Sequence, residues 1–428
     1  MLKSIKKSFK YFIIATGIIL AIPVFLYSII RIPEVQTFIV KRITSHLSNE
    51  IQTTVSVGKI KYSFFNVLNI NDLIIKDQNN DTLVYSAHLT TGIRKLDFRN
   101  KIIRLGKVEL TEPYIALITD SAGSMNLKWY LDLIRKSPPE KKGKKKSQFH
   151  VNSIFLKDAR FVLRNMLKDQ VREVINFNNL QLSQINGYVN DLNIESDSVD
   201  FTINELEFKE IKGFSVMEMD SRVAISGNRL VLSDVSIKTG KSIINADLVS
   251  IKPDSADSFN RFAEEVKLNI ILKRSLLTNY DLSYFLPVPE GINESVWIRG
   301  KVTGTVSELK GRNIELEYRE NSRLDCDFDL SGLPRIEDTF IFIGVNNLET
   351  NAKDLEKIQF SAKGDIALPE MLYKLDNISF NGNFTGFTTD FVAYGKLNTG
   401  KGNMSTDISL RPEGKNAFYR QLKELGVK

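Results

Sequence analysis

Three histidines, one cysteine and two loop-like clusters are the residues whose types and spacing could do chemistry in this chain. His46 falls in a helical stretch, His88 in a strand and His150 at a strand start, and none has an acid or nucleophile partner close by in sequence. General acid–base work and metal ligation therefore have nothing local to build on. Neither a G-x-S-x-G elbow nor an H-E-x-x-H pair occurs. Gly240-Lys241-Ser242 imitates the end of a phosphate-binding loop, but Val235 occupies the earlier glycine position and strands follow where a helix is required. Asp77, Asn79 and Asp81 have the first three ligand spacings of a calcium loop. Thr82 stands where glycine is needed and His88 where the bidentate glutamate belongs, so the cluster reads as a strand-connecting turn. Trp129 and Tyr130 read as core residues of a short helix. The expectation is a protein with no catalytic residues, no metal and no cofactor, and not an enzyme.

Charge narrows the partners. The 428 residues carry a formal +7. Lys3, Lys6, Lys7 and Lys10 lie at the N-terminus, and five more lysines crowd residues 141–146. Without those nine, the 58 basic residues fall just below the 51 acidic ones. The body has no basic excess for nucleic acid. The 141–146 lysines read as a solvated linker after Pro138-Pro139, with contact to anionic lipid headgroups as the alternative. Cys326 stands alone, so no internal disulfide framework is available.

The elements around these residues are of two kinds. Tyr11 to Ile30 are uncharged and mostly apolar: Tyr11, Phe12, Ile13, Ile14, Ile18, Ile19, Leu20, Ile22, Val24, Phe25, Leu26, Ile29 and Ile30 supply the hydrocarbon. Helical rise of about 1.5 Å per residue carries such a run across a ~30 Å bilayer core. The preceding lysines keep residues 1–10 cytoplasmic and export the rest. A cleaved signal peptide is the competing reading; the run is longer than an h-region, and no small-residue cleavage site closes it. A short amphipathic helix follows over 33–49, with Pro33 at its start and Val35, Phe38, Ile39, Ile43 and Leu47 at helical spacing.

From Val55 the period changes to two, and alternating strands run to about Leu410, first over 55–136, then over 149–410 beyond a 137–148 linker. Turn residues recur at 79–81, 120–123, 226–228, 239–241 and 381–383. Asn126–Ile134, Ser255–Glu265 and Leu276–Phe285 are the helical interruptions. The segments 108–118, 154–164 and 230–240, with 203–213 as a weaker copy, share one plan. Each has an apolar strand, a polar or proline-containing step suited to a bulge or kink, then another alternating strand. The alternation stops near Leu410, and within the tail, 411–428, residues 416–428 read as helical and basic.

Alternation gives each strand one apolar and one polar face. Phe155, Phe161, Phe201, Phe208, Phe328, Phe340 and Phe360 are the candidate liners of the apolar faces, with Phe342, Phe380 and Phe384 beside them. Those faces either meet in a closed sandwich or line a groove open to acyl chains; periodicity does not choose between the two.

The segment from Pro33 to Leu89, with Val55-Ser-Val-Gly58, Leu73-Ile-Ile75 and Asp81-Thr-Leu-Val-Tyr85, resembles the start of the AsmA-like superfamily, most of all its TamB-like branch in Bacteroidetes-type bacteria. Residues 382–410 resemble a recurrent segment of that branch. The resemblance implies a mainly β fold: an N-terminal transmembrane helix, a short amphipathic helix, then an elongated, curved, repetitive antiparallel sheet with few short helices, curled into a taco-like groove. It implies a single-pass inner-membrane protein of a Gram-negative bacterium, periplasmic in bulk, whose partner is phospholipid moving toward the outer membrane. The alternative it implies is an assembly module that aids outer-membrane protein insertion through a barrel partner bound at an exposed strand edge. Members of that branch are much longer and end in a further β-domain, so this chain is expected to be a truncated product or a short relative.

Overall fold

The computed structural model describes residues 53–63, 66–97, 102–126, 148–167, 174–195, 198–255, 258, 261–285, 294–357, 373–374, 377–413, 417–422 and 426–427, with isolated positions between 32 and 48. The expected anchor at 11–30, most of the 126–134 helix, the lysine-rich linker and Phe360 lie outside the described residues. Among the described residues no helix is long and apolar enough to cross a membrane. The described positions of the 33–49 segment, among them Glu34, Val35, Phe38 and Arg42, are helical. The fold is mainly β, largely antiparallel, with few short helices. It divides into two compact units, residues 1–170 with 176–192, and 171–175 with 193–428.

Unit 1 holds β1 (Val55–Ser56), β2 (Ile60–Ser63), β3 (Val67–Lys76), β4 (Thr82–Asp97), β5 (Ile102–Thr111), β6 (Tyr114–Thr119), β7 (Gln148–Asn165) and most of β8 (Asn179–Glu195). β1 and β2 pair with β3, and β3 with β4, all antiparallel. β5 and β6 are one strand broken at Glu112-Pro113, and both pair with β4. β7 runs parallel to both, a departure from the wholly antiparallel sheet the sequence suggests. The long connection through 120–147 permits it, since a parallel partner needs a crossover that a tight turn cannot make.

Unit 2 is a meander. β9 (Ser198–Glu210), β10 (Ser215–Ser226), β11 (Arg229–Thr239), β12 (Ile243–Pro253), β13 (Val266–Thr278), β14 (Ser295–Gly304), β15 (Glu308–Tyr318), β16 (Ser322–Ser331), β17 (Phe340–Asn351), β18 (Asn377–Gly386), β19 (Phe391–Thr399) and β20 (Gly402–Glu413) each pair antiparallel with the next. The tail corrects the helical expectation: β21 (Ala417–Leu422) and β22 (Gly426–Val427) pair with β20. The outer edge of β20 offers unpaired backbone groups, and extending the ladder satisfies them. Among the described residues of unit 2 lie α1 (Phe262–Glu265), α2 (Asn279–Leu282) and α3 (Ala352–Lys357), with a 3-10 turn at Ile336–Asp338. Each of the first two falls inside an expected interruption and is shorter than it, and β13 takes residues 276–278 of the second; α3 has no counterpart in the sequence reading.

The polar step of each repeat is a kink. Glu112, Asp158 and Asp234 have φ of 51°, and Glu205 has 52°. Asp72, Gln184 and Asp191 at 52° and Asn313 at 51° extend the same device to other strands. Short polar residues tolerate the left-handed region better than branched apolar ones do. The kink pulls an amide out of the ladder; the Lys157 carbonyl accepts that of Glu112, and at three other kinks a neighbouring polar side chain does so. Asp220 Oδ1 takes the Glu205 N–H at 3.0 Å, Asn186 Oδ1 that of Asp158 at 2.8 Å, and Asp327 Oδ1 that of Asn313 at 2.7 Å. Buried serines serve the carbonyls just before two kinks, Ser86 Oγ reaching Thr111 O at 3.4 Å and Ser221 Oγ reaching Ser233 O at 3.2 Å. Leaving such groups unpaired would cost about 1–3 kcal/mol each.

A kink set by backbone conformation predicts a specific pattern of tolerance. Asp234→Gly should keep stability within about 0.5 kcal/mol, whereas Asp234→Val should lose about 1–2 kcal/mol through the left-handed φ. Urea unfolding followed by circular dichroism measures both.

Candidate functional site

Residues directly opposite in a ladder share a face, so the register of unit 2 can be followed strand by strand. One row runs Phe201, Val223, Leu232, Val249, Ile270, Val302, Gly311, Phe328, Ile343, Phe384, Ala393. The next row on the same face runs Val199, Ile225, Leu230, Ile251, Leu268, Gly304, Leu309, Leu330, Ile341, Gly386, Phe391. No polar side chain interrupts either row from β9 to β19. The row between them faces the other way and includes Asp200, Ser250, Asn269, Lys310 and Asp329. That second face is stitched by ion pairs such as Lys238–Glu218 at 2.7 Å, Arg299–Glu315 at 2.6 Å and Arg312–Asp329 at 2.6 Å. In the same way Arg274 pairs with Glu317 and lies 4.0 Å over the Trp297 ring.

The apolar face is open. Of the side chains in its two rows only Val223 is fully buried; Ile225 is exposed and the rest are half-buried. A second sheet packed about 10 Å away would bury them all, as in a sandwich. Eleven strands at ~4.8 Å and two rows at ~7 Å make a strip on the order of 700 Å². That exceeds the largest apolar patch of an ordinary monomer, about 300–600 Å².

Toward β19 the face gains breadth and its floor changes. Ile314, Cys326, Val345, Gly382 and Gly395 form a third row across β15–β19. Gly311 lies opposite Phe328, and a Cβ there would come within 2.2 Å of the Phe328 ring. Gly395 lies opposite Gly382, and a Cβ at 395 would meet the Phe380 ring at 2.6 Å. The rings thus lie down on bare backbone and fill what glycine leaves vacant. This explains why Asn381-Gly382-Asn383, a turn by its composition, is the middle of β18.

The phenylalanines divide accordingly. Phe201, Phe328 and Phe384 stand in the apolar rows. Phe208 pairs with Val216 beyond the Glu205 kink. Phe340 and Phe342 lie on the other face, opposite Ser331 and Asp329, which corrects the placement of both on the apolar face. In unit 1, Phe161 ends the apolar row Val55–Ile75–Val84–Ile115. Phe155 does not join it: its row is Lys61, Asn69, Thr90, Glu109, and its ring sits 4.9 Å from Tyr188 with Lys107 over it at 5.8 Å.

The clusters with chemical promise are structural. Asp77 Oδ1 accepts the Asn79 and Asp81 N–H groups at 2.9 Å each, and Asn126 Nδ2 donates to its Oδ2 at 3.2 Å, so the cluster is a turn. Lys241 of the Gly-Lys-Ser triplet lies 4.4 Å over the Tyr280 ring, and Ser242 Oγ meets Thr278 Oγ1 at 3.0 Å. His88 Nδ1 meets Asn71 Oδ1 at 3.0 Å. Among the described residues no group of three His, Cys, Asp or Glu side chains could hold a metal. Two buried aspartates escaped the sequence reading. Asp281 accepts Thr239 Oγ1–H at 2.6 Å, and Asp354 accepts Ser322 Oγ–H at 2.9 Å, each at a helix beginning Thr278-x-x-Asp or Asn351-x-x-Asp. That spacing is a capping signature and could have located them.

No known protein-family model matches the chain, and no curated protein matches it.

Cys326 reports on that face. Burial pushes its thiol up, with Asp325 and Asp327 adding to the effect. The folded chain holds the thiol proton more tightly than the unfolded chain. This group's contribution to stability is therefore complete below the ordinary thiol value of about 8.5 and is lost as pH rises through the raised one. A chromogenic disulfide reagent at pH 8 should react at least about tenfold faster with urea-unfolded chain than with folded chain.

Proposed function

We propose that the chain carries the acyl chains of phospholipid on the apolar face of β9–β19, as a non-catalytic, inner-membrane-anchored lipid carrier of the AsmA-like, TamB-like kind. On this reading residues 11–30 hold it in the inner membrane, the N-terminus is cytoplasmic and the sheet works in the periplasm. The observation that carries the reading is the pair of unbroken apolar rows left half-exposed over eleven strands. Bare in water, such a face is costly; covering half of the strip at about 25 cal/mol per Å² would be worth about 9 kcal/mol before association costs. A hydrocarbon tail gains this without polar partners, and the face offers none. The ion-paired opposite face suits water, so a single sheet can shield a lipid on one side and remain solvated on the other.

Photo-crosslinking tests the reading. A photoreactive residue at Phe201 or Leu230 should capture phospholipid in cells, while the same residue at Lys310, on the polar face, should not. Crosslinks from Phe201 and Leu230 to protein only, or equal lipid capture at Lys310, would contradict it.

A further inference from the structure

The polar face carries an apolar patch of its own. Phe340 and Phe342 project there from β17, 41% and 37% exposed. The Phe387 ring, 38% exposed in the β18–β19 turn, meets Phe340 edge to face with centroids 5.6 Å apart. Ile336, in the turn leading into β17, is 51% exposed. Exposed aromatics in contact with one another are a feature of protein-binding surfaces, because they bury large area at little entropic cost.

The charge around the patch has a sign. Asp329 is the cross-strand partner of Phe342, and Asp327 and Asp325 continue along β16. Glu337 and Asp338 precede β17, and Asp390 closes the Phe387 turn, its carbonyl accepting the Phe387 N–H at 2.7 Å. Against these six carboxylates stand Lys310, the Asp329 cross-strand partner, with Arg312, paired to Asp329 at 2.6 Å, and Arg335, paired to Asp338 at 3.4 Å. Both arginines are thus committed to acids of the patch, and the remaining field is negative.

We infer that Phe340, Phe342, Phe387 and Ile336, ringed by Asp327, Glu337 and Asp390, form a docking site for a basic amphipathic segment of another protein. Apolar side chains of such a segment cover the rings while its lysines or arginines face the carboxylates. An anionic membrane surface would be repelled by the same carboxylates. The site lies on the face opposite the proposed lipid strip, so both can be occupied together.

A fluorescent Leu/Lys amphipathic peptide and its Leu/Glu counterpart, titrated by anisotropy into the full chain, test this. The Leu/Lys peptide should bind, more weakly as salt rises, and at least about tenfold more tightly than the Leu/Glu peptide. F340S/F387S should weaken it at least about tenfold, and the single exposed change Phe340→Lys should do the same, with circular dichroism unchanged. Leu230→Asp, on the other face, should leave binding within about twofold. Equal binding of both peptides, loss through Leu230→Asp with F340S/F387S unaffected, or phosphatidylglycerol vesicles bound through the same phenylalanines would each overturn the assignment.

Discussion

Cross-strand register is the constraint on which unit 2 depends. Side chains alternate with period two, so a slip of one residue in any ladder would throw an apolar row onto the ion-paired face. From Phe201 to Ala393 that does not happen, although kinks at Glu205, Asp234 and Asn313 interrupt the strands. Each kink is matched by an acceptor, Asp220 for Glu205 and Asp327 for Asn313, or by a serine such as Ser221. The sheet bends locally without losing count. Its hydrogen-bonded backbone supplies the cohesion that a two-layered core would otherwise give.

An open apolar face is therefore a consequence of how cohesion is distributed. Stability comes from long ladders, from polar caps such as Asp281 and Asp354 at the strand ends, and from Phe328 and Phe380 lying over Gly311 and Gly395. None of these needs a second layer over the Val, Leu and Ile rows. The face stays available, and a ligand that brings only hydrocarbon can complete it.

Much of this was legible in the chain. Strand periodicity, most turns and the polar step of each repeat could be read because they are local, encoded in residue alternation and in Asp or Glu at the kink. Phe340 could not be assigned, since Phe340-Ile-Phe-Ile343 is apolar at every position and alternation is silent there; only pairing with Ser331 and Asp329 fixes its side. Phe155 failed for a related reason, as its neighbours Ile154 and Leu156 are apolar too. The Asn381-Gly-Asn383 segment reads as a turn because the glycine's purpose, making room for Phe380 beside Gly395, is set by another strand. The parallel partnership of β7 with β5 and β6 is likewise non-local.

On the proposed reading, one face of the β9–β19 sheet is open and meets hydrocarbon while the other meets water. Spin labels placed singly at Leu232 and Ser233 in a Cys326→Ala background, with phospholipid present, test it by collision with oxygen and with a water-soluble nickel chelate. Alternation predicts high oxygen and low nickel accessibility at 232, and the reverse at 233. Low accessibility to both reagents at 232 would show a sealed sandwich core and contradict the account.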